Sequence, residues 1–543
     1  MEMILVEKMT FYYPRSEKPA LRDVSLSLMP GEFAVICGPS GCGKTTLVRN
    51  LKREIAPHGK MTGYIRYKGE DIVSLPPAVS ASEIGFVMQD PESQQVTDTV
   101  CHEMAFGLEN LGVPSSVIRR RIAETAHFFG VNEWFDKKVF DLSGGQKQIL
   151  NLAGVMAMQP RLIILDEPTA QLDPIAAKEF LTILKRINQE LGTTVLLTEH
   201  RLEEVFPMAD KVIYMEEGRI GYSGTAPGFI AYTAAHGSHL FLEALPAASR
   251  IAVALGEKHD IPITVREGRD WLRNYIHEND TGLSEAINDN VPAGPSVLQA
   301  KDIWFRYSPR DDFALKGFSC EIRSGMITAF VGGNGSGKTT ALCILAGIYE
   351  PSRGNVRKTN RHHRIAMLPQ NPKTVFVCDT VRADIIESAN LAAGKSTSAD
   401  AETVIKLLGI EDILDAHPYD LSGGEQQKAA IAKLLMLDPD IILMDEPTKG
   451  MDVRAKSDLA KILRGCCALG KAVAIVTHDI EFAASCSDIC AMIFNGEVIC
   501  TDRSKLFYDG NTFYTTSANR VSRDIIPGTV TCEDIVSLCG KEL

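Results

Sequence analysis

Short unbroken apolar runs, each closed by a glycine loop, an acid or a histidine, set the pattern of this chain. Phe33-Ala34-Val35-Ile36 runs straight into a glycine-rich stretch, and a helical pattern begins at Thr45. Leu162–Leu165 and Ile441–Leu443 are further short runs that end in acidic residues. Val195–Leu197 and Ala474–Val476 are two more, each followed closely by a histidine. Runs that are apolar throughout, rather than alternating, suit strands covered on both faces, as in a parallel sheet between helices. The pattern therefore predicts an α/β fold.

The pattern occurs twice. Phe11-Tyr12-Tyr13-Pro14, Ala20-Leu21-Arg22-Asp23-Val24 and Pro30-Gly31-Glu32 return as Phe305-Arg306-Tyr307, Ala314-Leu315-Lys316-Gly317-Phe318 and Ser324-Gly325-Met326. GPSGCGKTT at Gly38–Thr46 returns as GGNGSGKTT at Gly332–Thr340, LSGGQ at Leu142–Gln146 as LSGGE at Leu421–Glu425, and LDEPT at Leu165–Thr169 as MDEPT at Met444–Thr448. Spacings agree as well: Ser143 to Asp166 and Ser422 to Asp445 are both 23 positions, and Glu167 to His200 is 33 against 32 for Glu446 to His478. Same-order recurrence at matched spacing is the mark of an internal repeat. The expected boundaries are 1–225 for the first repeat, 226–296 for a linking segment, 297–505 for the second repeat and 506–543 for a tail. Pro292-Ala293-Gly294-Pro295 is a plausible linker end.

A chain of 543 residues has room for two to four domains of about 100–200 residues. Its 45% hydrophobic and 23% charged content is that of a globular protein. A net charge of -12 argues against a nucleic-acid-binding surface, which is usually basic. There is no run of about 18 apolar residues to cross a membrane, and Met1–Thr10 does not read as a signal peptide. The expected location is the cytoplasmic side of a membrane, held there by an integral partner. None of the 13 cysteines forms a CxxC pair, so zinc-ribbon and iron–sulfur readings lack their ligand spacing. Buried reduced thiols are expected, with Cys42 in the first glycine loop the one thiol open to alkylation.

G-x-x-x-x-G-K-[ST] carries the clearest chemistry. Gly38, Ser40, Gly41, Gly43, Lys44, Thr45 and Thr46 match it, as do Gly332, Asn334, Gly335, Gly337, Lys338, Thr339 and Thr340. Its glycines let backbone N–H groups close on phosphate oxygens at a helix N-terminus; the lysine reaches the outer phosphates and the threonine hydroxyl ligates Mg²⁺. Asp166 and Asp445 end apolar strands, where a carboxylate can face that metal. Glu167 and Glu446 follow directly and are placed to polarise an attacking water. His200 and His478 stand at the same interval beyond, positioned to contact a terminal phosphate or orient the water. Ser143-Gly144-Gly145-Gln146 and Ser422-Gly423-Gly424-Glu425 precede helix-forming residues and offer a second anion site.

Together these motifs resemble the ATP-binding cassette (ABC) ATPases over about four-fifths of the chain. The resemblance implies two tandem nucleotide-binding domains, each a P-loop core with an antiparallel β subdomain and an α-helical signature subdomain, binding ATP and Mg²⁺. It further implies that Tyr13 and Tyr307 stack on adenine, that Gln89 and Gln370 are Q-loop residues near Mg²⁺, and that Asp173 and Asp452 are D-loop aspartates. Family cassettes work head to tail, so Lys44, Glu167 and His200 would act with Ser422, Gly423 and Gly424, and Lys338, Glu446 and His478 with Ser143, Gly144 and Gly145. Glu425 in place of a glutamine leaves two competent sites expected.

The stretch Val87-Met88-Gln89-Asp90-Pro91-Glu92-Ser93-Gln94-Gln95, Thr99-Val100 and Glu103–Asn110 is similar to the ATPases of energy-coupling-factor (ECF) importers of vitamins and transition-metal ions. Thr198–Val205, Asp445–Asp452 and the tail stretch Asn511–Thr516 are similar to their fused two-cassette forms. That likeness implies a transmembrane T-component and a substrate-binding S-component as partners, with Glu92, Asp98 and Glu103 as candidates to pair with arginines of the T-component. Two other functions compete. A tandem cassette acting on ribosomes or nucleic acid would want a basic arm, but residues 222–296 hold Arg250, Lys258, Arg266, Arg269 and Arg273 against Glu243, Glu257, Asp260, Glu267, Asp270, Glu278, Asp280, Glu285 and Asp289. A fused sugar-importer ATPase would often carry one altered site, whereas both sets here are intact. Trp271, Leu272 and Tyr275 are expected to form a small core.

Overall fold

A computed structural model describes residues 2–236, 239–279, 294–392 and 398–540. Asp280, Glu285, Asp289, Pro292 and Ala293, part of the acidic linking segment, lie outside the described residues. The chain divides into two units, Met1–Ser249 with Lys258–Thr264, and Arg250–Glu257 with Val265–Leu543. The segment between the repeats is thus shared between the units.

In the first unit, a six-stranded sheet has the spatial order Arg219–Gly224, Lys211–Glu216, Phe33–Cys37, Thr194–Thr198, Leu162–Asp166, Ile84–Val87. All neighbours are parallel except the hairpin at the Arg219–Gly224 edge. The three central strands are buried at every position, which is what an unbroken apolar run between two helical layers requires. Each fully buried Val, Leu or Ile contributes about 1.5–3 kcal/mol. The second unit repeats this order from the other edge: Ile365–Leu368, Ile441–Asp445, Ala472–Val476, Ile327–Val331, Ile489–Phe494, Glu497–Arg503. Beside each large sheet lies a smaller antiparallel one, of four strands in the first unit and three in the second.

Within each unit the signature heads a helix, Gly144–Ala157 or Gly423–Met436, that packs on the helix beyond the Q-loop, Val100–Asn110 or Val381–Leu391. The tail folds as three short helices, Ser504–Gly510, Ser517–Ser522 and Cys532–Leu538. The helix Val265–Asn279 lies on this tail: Arg269 donates to Arg520 O at 2.6 Å and pairs with Asp524 at 3.2 Å. Leu272 is buried there, while Trp271 and Tyr275 stack at 5.2 Å and stay half-exposed.

The turn from the strand Phe33–Cys37 into the glycine loop tolerates no side chain at its first residue. A methyl group on Gly38 would lie 2.1 Å from Met215 O, and one on Gly332 would lie 2.3 Å from Ile493 O. Both obstacles are backbone of the adjacent strand. Gly38→Ala or Gly332→Ala is expected to cost about 2 kcal/mol or more, read as a lowered denaturation midpoint together with lost nucleotide binding in that unit.

Candidate functional site

Each parallel sheet delivers its functional groups at the C-terminal ends of its strands. In the first unit the loop 38–43 turns through Gly38, Gly41 and Gly43, at φ 153, 77 and 104, into the helix Lys44–Asn50. The second loop repeats the shape, with Gly332, Gly335 and Gly337 at 156, 76 and 100 before Lys338–Leu345. Ser40 and Asn334 sit within the two loops. Lys44 Nζ donates to Gly38 O at 3.0 Å and Pro39 O at 3.1 Å; Lys338 Nζ donates to Gly332 O at 3.0 Å and Gly333 O at 2.8 Å. Both lysines are buried, so each ammonium is held over its loop by carbonyl dipoles.

The acids stand opposite. Thr45 Oγ1 and Thr198 Oγ1 each donate to Asp166 Oδ1 at 3.0 Å. Asp166 Oδ2 is buried without a hydrogen bond, 4.0 Å from Arg49 Nε. At Asp445, among the described residues, neither carboxylate oxygen has a hydrogen-bond partner. One reason is legible in the register: Asp166 lies beside Thr198 in the neighbouring strand, whereas Asp445 lies beside Val476. Burial, with Glu446 adding to it and Thr339 and Lys338 opposing, pushes Asp445 up to about 6. Burial, then Glu167, raises Asp166 as well.

Glu167 and Glu446 follow at φ 45 and 49, a left-handed backbone that costs a non-glycine residue about 1–3 kcal/mol. The twist is held by hydrogen bonds to the next strand, Glu167 N to Thr198 Oγ1 at 2.9 Å and Glu446 N to Val476 O at 2.8 Å. Glu167 collects Gln89 Nε2 at 2.9 Å, His200 Nε2 at 2.9 Å and Lys44 Nζ at 3.8 Å. Burial pushes its carboxyl up, but His200 and Lys44 outweigh this and hold it low. Glu446 meets His478 through the other ring nitrogen, Nδ1, at 2.9 Å. Gln370 is exposed and makes no hydrogen bond to Glu446 among the described residues.

Tyr13 and Tyr307 each fix their hydroxyl on the loop helix, at 3.0 Å from Thr46 Oγ1 and 2.8 Å from Thr340 Oγ1, and stay 41% and 61% exposed. Ser143 and Ser422 cap the signature helices in reciprocal boxes with Gln146 and Glu425, an arrangement worth about 1 kcal/mol. The boxes differ: Gln146 Oε1 accepts from Ser143 N at 3.0 Å, whereas Glu425 Oε2 takes both Ser422 N at 2.9 Å and the Ser422 hydroxyl at 2.6 Å. Asp173 and Asp452 cap the next helices through Ala176 N at 2.8 Å and Ala455 N at 2.9 Å.

Several expectations change. Cys42 is buried and its thiol is pushed up, mainly by burial, so it is not the alkylation target its place in the loop suggested. Glu103 is committed to its own loop, accepting from Thr97 N at 2.7 Å and Val96 N at 3.1 Å, and Glu92 pairs with Lys147 at 2.5 Å; Asp98 remains exposed. Thr198 and Glu199 were missed. Thr198 joins the two acids, and buried Glu199 accepts from Thr169 N at 3.2 Å and His200 N at 3.0 Å. Their place beside His200 was visible, but only strand register shows that a hydroxyl there reaches Asp166.

The family model described as ABC transporter matches residues 21–170 and 315–449. A Bacillus cereus protein with the provisional name ABC transporter ATP-binding protein is 42% identical over 99% of this chain and 98% of its own length. The chain belongs to the ABC transporter ATP-binding family. A provisionally named HMP/thiamine import ATP-binding protein of Bacillus subtilis, YkoD, is 31% identical over 90% of this chain and 89% of its own. Among solved structures, cbiO1 of Clostridium perfringens, part of the ABC transporter complex cbiONQ, is 30% identical over 44% of this chain and 96% of that one, at a TM-score of 0.39.

As an ABC ATPase the chain hydrolyses ATP, and its site chemistry suits the family's Mg²⁺. The buried carboxylate oxygens of Asp166 and Asp445 that have no hydrogen-bond partner fit a cation; with Thr45 and Thr339, and with Gln89 and Gln370 by family likeness, they would hold it. Bound Mg²⁺ neutralises charge on the phosphates. By family likeness the loop N–H groups and a lysine would cradle the phosphates, and Glu167, held low by His200 and Lys44, would take a proton from water, as would Glu446 beside His478. Because Asp445 is raised from 3.8 to about 6, its ionisation costs the fold. The cost is absent below the unfolded value, grows between 3.8 and about 6, and is complete above that. Asp445→Asn should therefore stabilise the nucleotide-free chain at pH 8 by up to about 3 kcal/mol, read as a raised thermal midpoint, and Asp166→Asn should do so by less, since two hydroxyls already serve Asp166. Calorimetry across pH 4–8 checks both.

Proposed function

We propose that this ABC ATPase powers uptake as the two-cassette ATPase of an ECF-type importer, working on the cytoplasmic face of the membrane with a T-component and an S-component, for a vitamin or a transition-metal ion. The observation that supports the reading is a set of exposed apolar side chains beside each Q-loop, at matching positions in the two units. In the first unit Val96, Phe106 and Phe140 are 64%, 38% and 69% exposed. The segments carrying Val96 and Phe140 run side by side, because Thr99 bridges Lys138 and Val139 N donates to Asp98 O. In the second unit Val377 and Tyr419 are 68% and 54% exposed at the matching positions. Such patches mark interaction surfaces, and a short helix from a membrane partner would cover each. Glu103 is engaged by its own loop, while exposed Asp98 and Glu92, which is 69% exposed in its pair with Lys147, stay placed to meet arginines of the T-component beside the apolar contact.

Two further observations support the importer. The sequence after Gln89 carries the ECF likeness, and the relative YkoD is named for import of HMP and thiamine. No helix among the described residues is long and apolar enough to cross a membrane, so the passage itself would come from partners. Phe140→Glu with Tyr419→Glu should leave ATP binding by the isolated chain within about two-fold yet abolish its co-purification with the T-component in detergent. Glu167→Gln with Glu446→Gln should abolish uptake. Retained co-purification would overturn the docking assignment, and retained uptake would overturn the transport motor.

A further inference from the structure

The two site histidines meet their glutamates through different ring nitrogens, and the residue before each histidine differs too: Glu199 precedes His200, whereas Thr477 precedes His478. Glu199 directly follows the strand Thr194–Thr198 and is 2% exposed. A carboxyl group is costly to bury unless its oxygens find donors, and both oxygens of Glu199 do. Oε1 accepts from Thr169 N at 3.2 Å and from the Thr169 hydroxyl, in the turn just beyond Glu167. Oε2 accepts from His200 N at 3.0 Å and from Arg201 N at 3.4 Å. Arg201 adds a second link to the same turn, donating to Leu172 O at 3.2 Å. The backbone of His200 is thereby fastened to the segment that leaves Glu167.

Thr477 is too short for this bridge, and its Oγ1 accepts from Asp479 N at 3.0 Å within its own turn. The backbone N–H of His478 goes to the glutamate instead, donating to Glu446 Oε2 at 3.3 Å, and the same oxygen meets His478 Nδ1 at 2.9 Å. Nδ1 is the ring nitrogen nearer the backbone, so a histidine whose own N–H rests on the glutamate brings that nitrogen to it. His200, with its N–H taken by Glu199, reaches Glu167 Oε1 with the outer nitrogen, Nε2, at 2.9 Å.

We propose that Glu199 is a positioning residue for ATP hydrolysis at the first site: by holding the His200 N–H against the Thr169 turn, it makes His200 present Nε2 to Glu167. It acts through His200 and touches no reacting atom. The second site, with Thr477 in place of Glu199, sets its histidine the other way round. The difference belongs to the hydrolytic step and not to nucleotide affinity, because no phosphate-loop group takes part in it.

The proposal rests on the assignment of His200 to the attacking water or the terminal phosphate, and a double-mutant cycle separates the two. ATPase rate against Mg-ATP concentration is measured for the full chain carrying Glu446→Gln, which leaves the first site to turn over, alone and with Glu199→Gln, His200→Ala or both. Glutamine has the shape of glutamate but turns one acceptor oxygen into a donor. Glu199→Gln should lower kcat about ten-fold with KM within about two-fold, and should cost nothing more once His200 is alanine. Glu199→Thr, which copies the second unit, should behave as Glu199→Gln does. The ring ¹⁵N resonances of His200, identified by their loss in His200→Ala, should also move on Glu199→Gln. Unchanged kcat, a loss carried by KM, a full further loss in the His200→Ala chain, or unmoved His200 resonances would overturn the proposal. If His200→Ala itself leaves kcat unchanged, the assignment of the histidine fails and the proposal falls with it. If Glu446→Gln alone abolishes turnover, the two sites turn over together, and the same cycle is read on the chain with Glu446 intact, where a loss at the first site then limits the whole rate.

Discussion

Two adjacent carboxylates at the end of a buried strand are the constraint around which each unit is arranged. Asp166-Glu167 and Asp445-Glu446 leave apolar strands where charge is costly, and the glutamates do so in a left-handed backbone. Neither feature favours folding. Both persist because the sheet over-determines them: the strand beyond holds the glutamate N–H, and the phosphate loop brings a lysine and a threonine to the same place. Unmet bonding capacity on the aspartates is the counterpart of a site built to hold a cation and phosphate.

From that shared frame the two cassettes diverge in small ways with chemical consequences. Thr198 serves both acids of the first site, while Val476 serves neither side chain of the second. Gln89 reaches Glu167, while Gln370 stays exposed. His200 and His478 address their glutamates through different nitrogens, and the second signature serine gives its hydroxyl to Glu425. Each unit keeps the full set of motif residues, yet the second gives its aspartate no hydrogen-bond partner from the neighbouring strand.

Much of this was legible in the sequence because the chain says it twice. The central strands fall on the unbroken apolar runs, and the loops, acids and histidines lie where motif spacing places them. What could not be read were relations between distant segments. That Glu103 would turn inward to its own loop depends on the path of Val96 and Thr97. That Thr198 would reach Asp166 depends on strand register. Cys42 looked reactive because its loop is a binding loop, but its own side chain packs beneath it.

Two complete nucleotide sites in one chain are the centre of the account, and counting bound ATP tests them most directly. With Glu167→Gln and Glu446→Gln in place to block turnover, equilibrium dialysis with Mg-ATP should give two nucleotides per chain. Further addition of either Lys44→Ala or Lys338→Ala should leave one. A single nucleotide per chain before the lysine changes, or loss of both on changing one lysine, would contradict two separate nucleotide sites, one on each phosphate loop.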